Sequence, residues 1–289
     1  MKITKGNSLN LAVQIIVDSS SDILPQECEK LGIAQDLPLK VIFGNEEYTD
    51  GVTLSHEDFY KKLVCCDVHP STSQVPPADF EDAYEKITAN GDTAVGITLS
   101  GKLSGTYPSA VIAAEDYEGK VFVVDSENAA LGERCLLMRG IQLREAGLSA
   151  AEIAAKLDEE KKDIRLFGLL DTLEYLKKGG RISSTVALAG GLLNIKPVIA
   201  VEDGKVAMVG KVRGPKAGAK LLRELMEKNP VDFQRFGCFA YTGLDNTTTV
   251  SFAEECGADF ASFPVVSVGC TIGVHVGPGV TAVAYFAKH

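Results

Sequence analysis

Apolar residues in the first half of the chain come in short runs between helical patterns. Val13-Gln14-Ile15-Ile16-Val17 is a β-branched run that stops at Asp18-Ser19-Ser20-Ser21-Asp22, and Thr93–Leu99 and Val121–Val124 are two more. Helices are expected at Pro25–Leu31, which Gly32 stops, and at Pro77–Ala89, where proline near the first turn gives up only an N–H that would be unpaired there anyway. Thr106–Tyr117, Ala129–Glu145 and Ala150–Lys161 follow, the last opened by the reciprocal cap of Ser149 and Glu152. Continuous apolar strands alternating with amphipathic helices predict a parallel sheet covered on both faces.

The second half has a different texture. Ile164–Leu170, Phe236–Tyr241 and Val280–Phe286 read as strands. Thr172–Lys178, Ser184–Leu193, Lys216–Lys228 and Thr248–Cys256 read as helices. Pro197–Val201 and Lys205–Val209 flank Asp203-Gly204, a pair that favours the tight turn of a hairpin. A hairpin among helices predicts a mixed or antiparallel sheet. The polar Lys161-Lys162-Asp163 marks the boundary. The expectation is an α/β protein of two domains, a parallel-sheet domain over 11–162 and an α/β domain with a mixed or antiparallel sheet over 163–289. A length of 289 residues suits two domains.

Composition narrows the partners. A net charge of -10 disfavours nucleic acid, whose phosphates need a basic face, and a polybasic mode of membrane attachment. Seven cysteines, without a C-x-x-C pair, give neither a zinc spacing nor a disulfide framework, and read as small apolar residues in a reducing cytoplasm. No run approaches the ~20 apolar residues of a membrane span. Residues 1–10 are polar and read as a leader outside the fold.

Candidate chemistry concentrates in three hydroxyl- or glycine-rich loops, Ser71-Thr72-Ser73-Gln74, Leu103-Ser104-Gly105-Thr106-Tyr107 and Gly273-Val274-His275-Val276-Gly277-Pro278-Gly279. Thr72, Ser104 and His275 would present two neutral donors and an imidazole to a small anionic head group. The segment 96–103 nearly matches a nucleotide P-loop, but Leu103 stands where a magnesium-binding hydroxyl is needed. Gly277-Pro278-Gly279 opens a strand-like run, whereas a dinucleotide fingerprint opens a helix. Ser104 and His275 also allow an esterase or acyltransferase, although no G-x-S-x-G elbow is present. A sensor of another small anion is a third reading. Asp18 and Asp22 read as a turn or helix cap rather than a metal site, and no metal or cofactor is expected.

The order and separation of several short segments carry more. Asp18-Ser19-Ser20-Ser21-Asp22, Thr72-Ser73-Gln74, Leu103-Ser104-Gly105-Thr106-Tyr107-Pro108-Ser109-Ala110, Leu176-Lys177-Lys178-Gly179-Gly180-Arg181-Ile182-Ser183, Lys196-Pro197 and His275-Val276-Gly277-Pro278-Gly279 together resemble the DegV family, of the fatty-acid-binding FakB type. The resemblance covers nearly the whole chain after residue 11. It implies a long-chain fatty acid, such as palmitate, buried between two α/β domains, with its carboxylate on Thr72, Ser104 and His275. It also implies a separate fatty acid kinase that phosphorylates the bound acid, so that the binding protein supplies substrate and not the active site. Arg181 maps onto the family's Gly-Gly-Arg arginine and would lie near the mouth, where a phosphate or partner would meet it; Ser73 and Gly105 adjoin the site. The small-residue segment Val186–Leu193 is a candidate wall for the tail. Transient membrane contact is compatible with such a lipid carrier.

Overall fold

The computed structural model describes residues 12–182 and 195–289. The expected leader, the helix at Ser184–Leu193 and the wall at Val186–Leu193 lie outside the described residues. The first half runs β1 (Val13–Asp18), α1 (Pro25–Leu31), β2 (Gln35–Leu37), β3 (Lys40–Phe43), β4 (Glu46–Thr49), α2 (His56–Cys65), β5 (Ser71–Ser73), α3 (Pro77–Ala89), β6 (Thr93–Thr98), α4 (Thr106–Ala114), β7 (Val121–Asp125), α5 (Leu131–Glu145) and α6 (Ala150–Glu160). The second runs β8 (Ile164–Leu169), α7 (Glu174–Lys178), β9 (Ile195–Glu202), β10 (Lys205–Arg213), α8 (Pro215–Lys228), β11 (Gly237–Tyr241), α9 (Thr247–Glu255), β12 (Val265–Ser267), α10 (Cys270–Val276) and β13 (Thr281–Phe286).

Three sheets result. The first has the order β2-β1-β6-β7 and is parallel throughout. The second has the order β10-β9-β8-β13-β11-β12 and is antiparallel except for the parallel β11–β12 edge. Both agree with the sheet types read from the sequence. The β9–β10 turn is built as expected, with Asp203 at φ 48° and Gly204 at φ 72°, the left-handed pair of a two-residue hairpin. The Ser149–Glu152 cap is also formed. A third, antiparallel sheet, β4-β3-β5, was not anticipated.

The six-stranded sheet shows why its central strands carry apolar residues at successive positions. Side chains alternate between faces along a strand. Phe167 and Leu169 of β8, Val198 and Ala200 of β9, and Val283 and Tyr285 of β13 pack with Leu222 of α8 and Phe252 of α9. The intervening Leu166, Leu170, Ile199, Ala282 and Ala284 face the other way and join a core that contains α5. Helix α5 packs on β1 and β6 of the parallel sheet and on β8, β11 and β13 of the mixed one. Its Leu131, Cys135, Leu136 and Leu137 are buried in succession, and so are Glu133 and Arg134. All seven cysteines are free; Cys135, Cys238 and Cys270 are buried as small apolar residues, while Cys65 is exposed.

Candidate functional site

Where the inner face of the mixed sheet does not meet α5, a cavity of about 320 Å³ remains. This lies within the range of roughly 300–1,000 Å³ typical of ligand pockets. Leu166, Gly168 and Leu170 of β8 and its C-terminal end, Ile199 and Val201 of β9, and Val280 and Ala282 at β13 form one wall. Ala129, Ala130 and Leu131 at the start of α5 form another, with Val206, Leu176 and Ile272. Gly168 and Ala282 sit opposite each other in the β8–β13 register. Two minimal side chains side by side leave space that larger ones would fill.

One end of the cavity is polar, and there the structure gathers the residues singled out in the sequence. Thr72, Ser73, Ser104, Gly105, Arg181 and His275 all line it. They come from four different local structures. Thr72 is the middle residue of β5, held by pairing with Val41 of β3. A stretch reading Ser-Thr-Ser has no apolar pattern of its own; its strand is imposed by its partner. Ser104 ends the loop after β6, where its Oγ accepts from Thr106 N at 3.2 Å and lies 3.0 Å from Thr106 Oγ1. His275 is in the last turn of α10, not in a glycine-rich loop as the sequence suggested. The loop begins only at Gly277, at φ 72°.

His275 Nε2 lies 3.0 Å from Thr72 Oγ1. With the ring proton on Nε2, the imidazole donates to Thr72, and the Thr72 hydrogen is free to point at a ligand. With the proton on Nδ1, Thr72 must donate to the ring and has no hydrogen left for an acid. Nδ1 itself is buried without a partner among the described residues; a Cβ placed on Gly179 would come within 2.1 Å of it. Burial, and then the positive charge of Arg181, lower the His275 pKa to about 4, so the ring is neutral at pH 7. Arg181 is fixed by its own donors, Nε to Leu103 O at 3.1 Å and Nη1 to Gly179 O at 2.5 Å. It thereby ties the Ser104 loop to the turn behind His275.

Nothing in this arrangement forms a nucleophile–base–acid relay. Among the described residues no hydrogen bond joins His275 to Ser104, and no carboxylate orients the ring through Nδ1. No cluster suited to a metal ion is found among the described residues. His56, at the start of α2, is half-buried, with Nε2 about 3.0 Å from where a Gly269 Cβ would lie.

In the sequence Gln74 is named only as part of its loop, with no role. Gln74 lines the cavity and donates from Nε2 to Ser109 Oγ at 2.8 Å. A Cβ on residue 105 would meet Gln74 Oε1 at 1.8 Å, so Gly105 is the space this amide occupies. Its place directly after Thr72-Ser73 was the one available signal.

Comparison with known proteins agrees with this architecture. A family profile described as "Uncharacterised protein, DegV family" matches residues 12–288. A DegV domain-containing protein of Deinococcus radiodurans is 34% identical over 276 residues, covering 95% of this chain and 98% of the relative. Among solved structures, a fatty-acid-binding DegV family protein from Thermus thermophilus superposes with a TM-score of 0.86 at 30% identity, covering 96% of this chain and 100% of that one. A stearic-acid-binding protein from Eubacterium ventriosum does so with a TM-score of 0.82 at 28% identity, covering 96% and 98%. The chain belongs to the DegV family.

Proposed function

We propose that this protein binds a long-chain fatty acid, with the tail in the apolar cavity and the carboxylate at its polar end. The observation that carries the reading is one cavity with a mostly apolar lining, to which Thr72, Ser104, Arg181 and His275 all contribute. The fatty-acid binding of its structural relatives supports it. Each methylene taken from water contributes ~0.8 kcal/mol, so about fourteen give roughly 11 kcal/mol before ordering costs. A carboxylate cannot follow the tail into a dry cavity without partners. The hydroxyls of Thr72 and Ser104 supply short charge-assisted bonds, and the neutral His275 sets the direction of the Thr72 hydrogen. Arg181 offsets the negative charge without the proton ambiguity of a second titratable group.

None of these groups is a nucleophile aimed at the acid carbon, and the head group stays chemically intact. The finer reading is that the protein holds its ligand near the division of the chain around residue 162 and presents the carboxylate to a separate fatty acid kinase, which forms the acyl phosphate. The test is to purify the protein natively, extract it with organic solvent and identify the ligand by mass spectrometry, then rebind palmitate to delipidated protein. A long-chain acid in the extract and saturable rebinding are expected. Recovery of a phosphorylated metabolite with no lipid, or turnover of an acyl ester abolished by Ser104→Ala, would replace this reading.

A further inference from the structure

The Asp18–Asp22 loop has no part in lining the cavity, yet it is fully buried. Its local geometry is the expected turn: Asp18 Oδ1 accepts from Ser20 N at 3.0 Å and caps the short helix Ser19–Ser21. Beside such local bonds, three others reach far along the chain. Asp18 Oδ2 accepts from Leu99 N at 2.9 Å, where the chain leaves β6 for the loop that ends at Ser104. Ser19 Oγ accepts from Leu39 N at 3.0 Å, at the threshold of β3, whose Val41 pairs with Thr72. Asp22 Oδ1 accepts from Gly269 N at 2.7 Å, at the start of α10, which carries His275.

Asp50 completes the third connection. Its Oδ1 accepts from Cys270 N at 3.1 Å and its Oδ2 from Thr271 N at 3.0 Å, while Ser19 Oγ donates to Oδ2 at 3.3 Å. The N–H of the cap residue Gly269 and those of the first two residues of α10 therefore all end on carboxylates from the first half of the chain. The sequence separations are 20, 81 and 247 residues, too far for local turn chemistry to account for them. We infer that the Asp18–Asp22 loop, with Asp50, is the positioning device of the head-group site: one buried loop sets the mutual placement of the three segments that bear Thr72, Ser104 and His275. This rests on the fatty-acid-binding reading for its functional meaning and on the backbone hydrogen bonds for its geometry.

The loop is held in turn by shared protons. Ser20 Oγ lies 2.6 Å from Asp18 Oδ1 and 2.5 Å from Glu133 Oε2, and one hydroxyl hydrogen cannot serve two carboxylates. One of those two acids carries the second hydrogen. Burial, which raises Asp18 to about 6 and Glu133 well above its usual range, is consistent with this. Arg134 adds a bond from Nη1 to Asp22 O at 2.8 Å.

The test compares Asp22→Ala, Asp22→Asn and Ser19→Ala with the unaltered chain, using palmitic acid and hexadecanol as probes. Asp22→Ala frees Gly269 N and is expected to weaken palmitic acid on the order of tenfold, with hexadecanol within about twofold. Asp22→Asn keeps an oxygen acceptor and restores most of the loss. Ser19→Ala, a smaller truncation on the β3 side, gives the same selective loss and serves if Asp22→Ala does not fold. The His275 ring, titrated by NMR, reports independently of any lipid: its pKa rises from about 4 towards the ordinary 6.5 in Asp22→Ala. Equal weakening of acid and alcohol, or an unchanged His275 titration, would overturn the inference. Failure of the unaltered chain to bind either probe would count against the fatty-acid reading, and the NMR titration would still decide this one.

Discussion

Replacing Thr72 by Val isolates the head group from the tail. The two side chains have nearly the same shape, so the walls of the 320 Å³ cavity are unchanged and so is the tail's contribution. The loss is one hydroxyl. With the ring proton on Nε2, that hydroxyl takes a bond from His275 at 3.0 Å and has one hydrogen to give. A hydrogen bond to a charged group is worth about 1.5–3 kcal/mol, which is about 10- to 150-fold in Kd. The His275 nitrogen left without its partner lowers stability, but it is unpaired in free and bound protein alike and cancels from the affinity. Calorimetric titration of delipidated protein should therefore show palmitate weakened at least about tenfold, with its binding heat capacity retained because the same apolar area is buried. Adding His275→Ala to Thr72→Val should cost less than the two separate losses together, since one bond links them. An affinity for palmitate within about twofold of the unaltered chain would refute the argument. So would a matching loss for a neutral ligand of the same length.

Two more expectations follow from the same geometry. His275 is neutral when folded and takes up a proton near pH 6.5 when unfolded, so its contribution to stability is fully present above about 6.5 and declines as the pH falls to about 4; relative to His275→Gln, the unaltered chain should lose about 3 kcal/mol across that window in denaturant titrations, and parallel curves would exclude it. Gly168 has an ordinary strand backbone, and a Cβ there would meet Ile199 Cγ1 and Leu170 Cδ1 at 3.4 Å, ordinary contact; Gly168→Val should therefore fold, occupy tail space and shift preference to acids shorter by a few methylenes, with retained preference for the original length in a mixed-acid competition as the contrary result.

The strand–helix alternation of residues 13–125 was legible because its signals are local: β-branched runs, a proline at Pro77, a stop at Gly32. So was the hairpin at Asp203-Gly204, where two left-handed residues in a row admit few alternatives. The small sheet was not. Ser71-Thr72-Ser73 becomes a strand only because Lys40–Ile42 pairs with it, and no window around it contains that partner. Cys270–Val276 misled in the opposite sense. Its glycine and β-branched residues favour loop or strand, and its helical N–H groups are taken up by Asp22 and Asp50 from the far side of the molecule. Residue types suited to holding an acid could be found by composition and spacing. Gln74, whose place depends on the absence of a side chain at Gly105, could not.

If the cavity holds a lipid as proposed, helix α5 has a bearing on how that lipid gets in and out. It is gripped by both large sheets, and Leu131, Cys135, Leu136 and Leu137 touch no water. Prising the sheets apart would wet several large side chains at about 1.5–3 kcal/mol each, a sum that approaches the total stability of a typical domain. Wide hinging is thus closed off as a route for traffic. On the fatty-acid-binding reading, loading and unloading would then fall to small displacements at the rim, with no need for the protein to unfold.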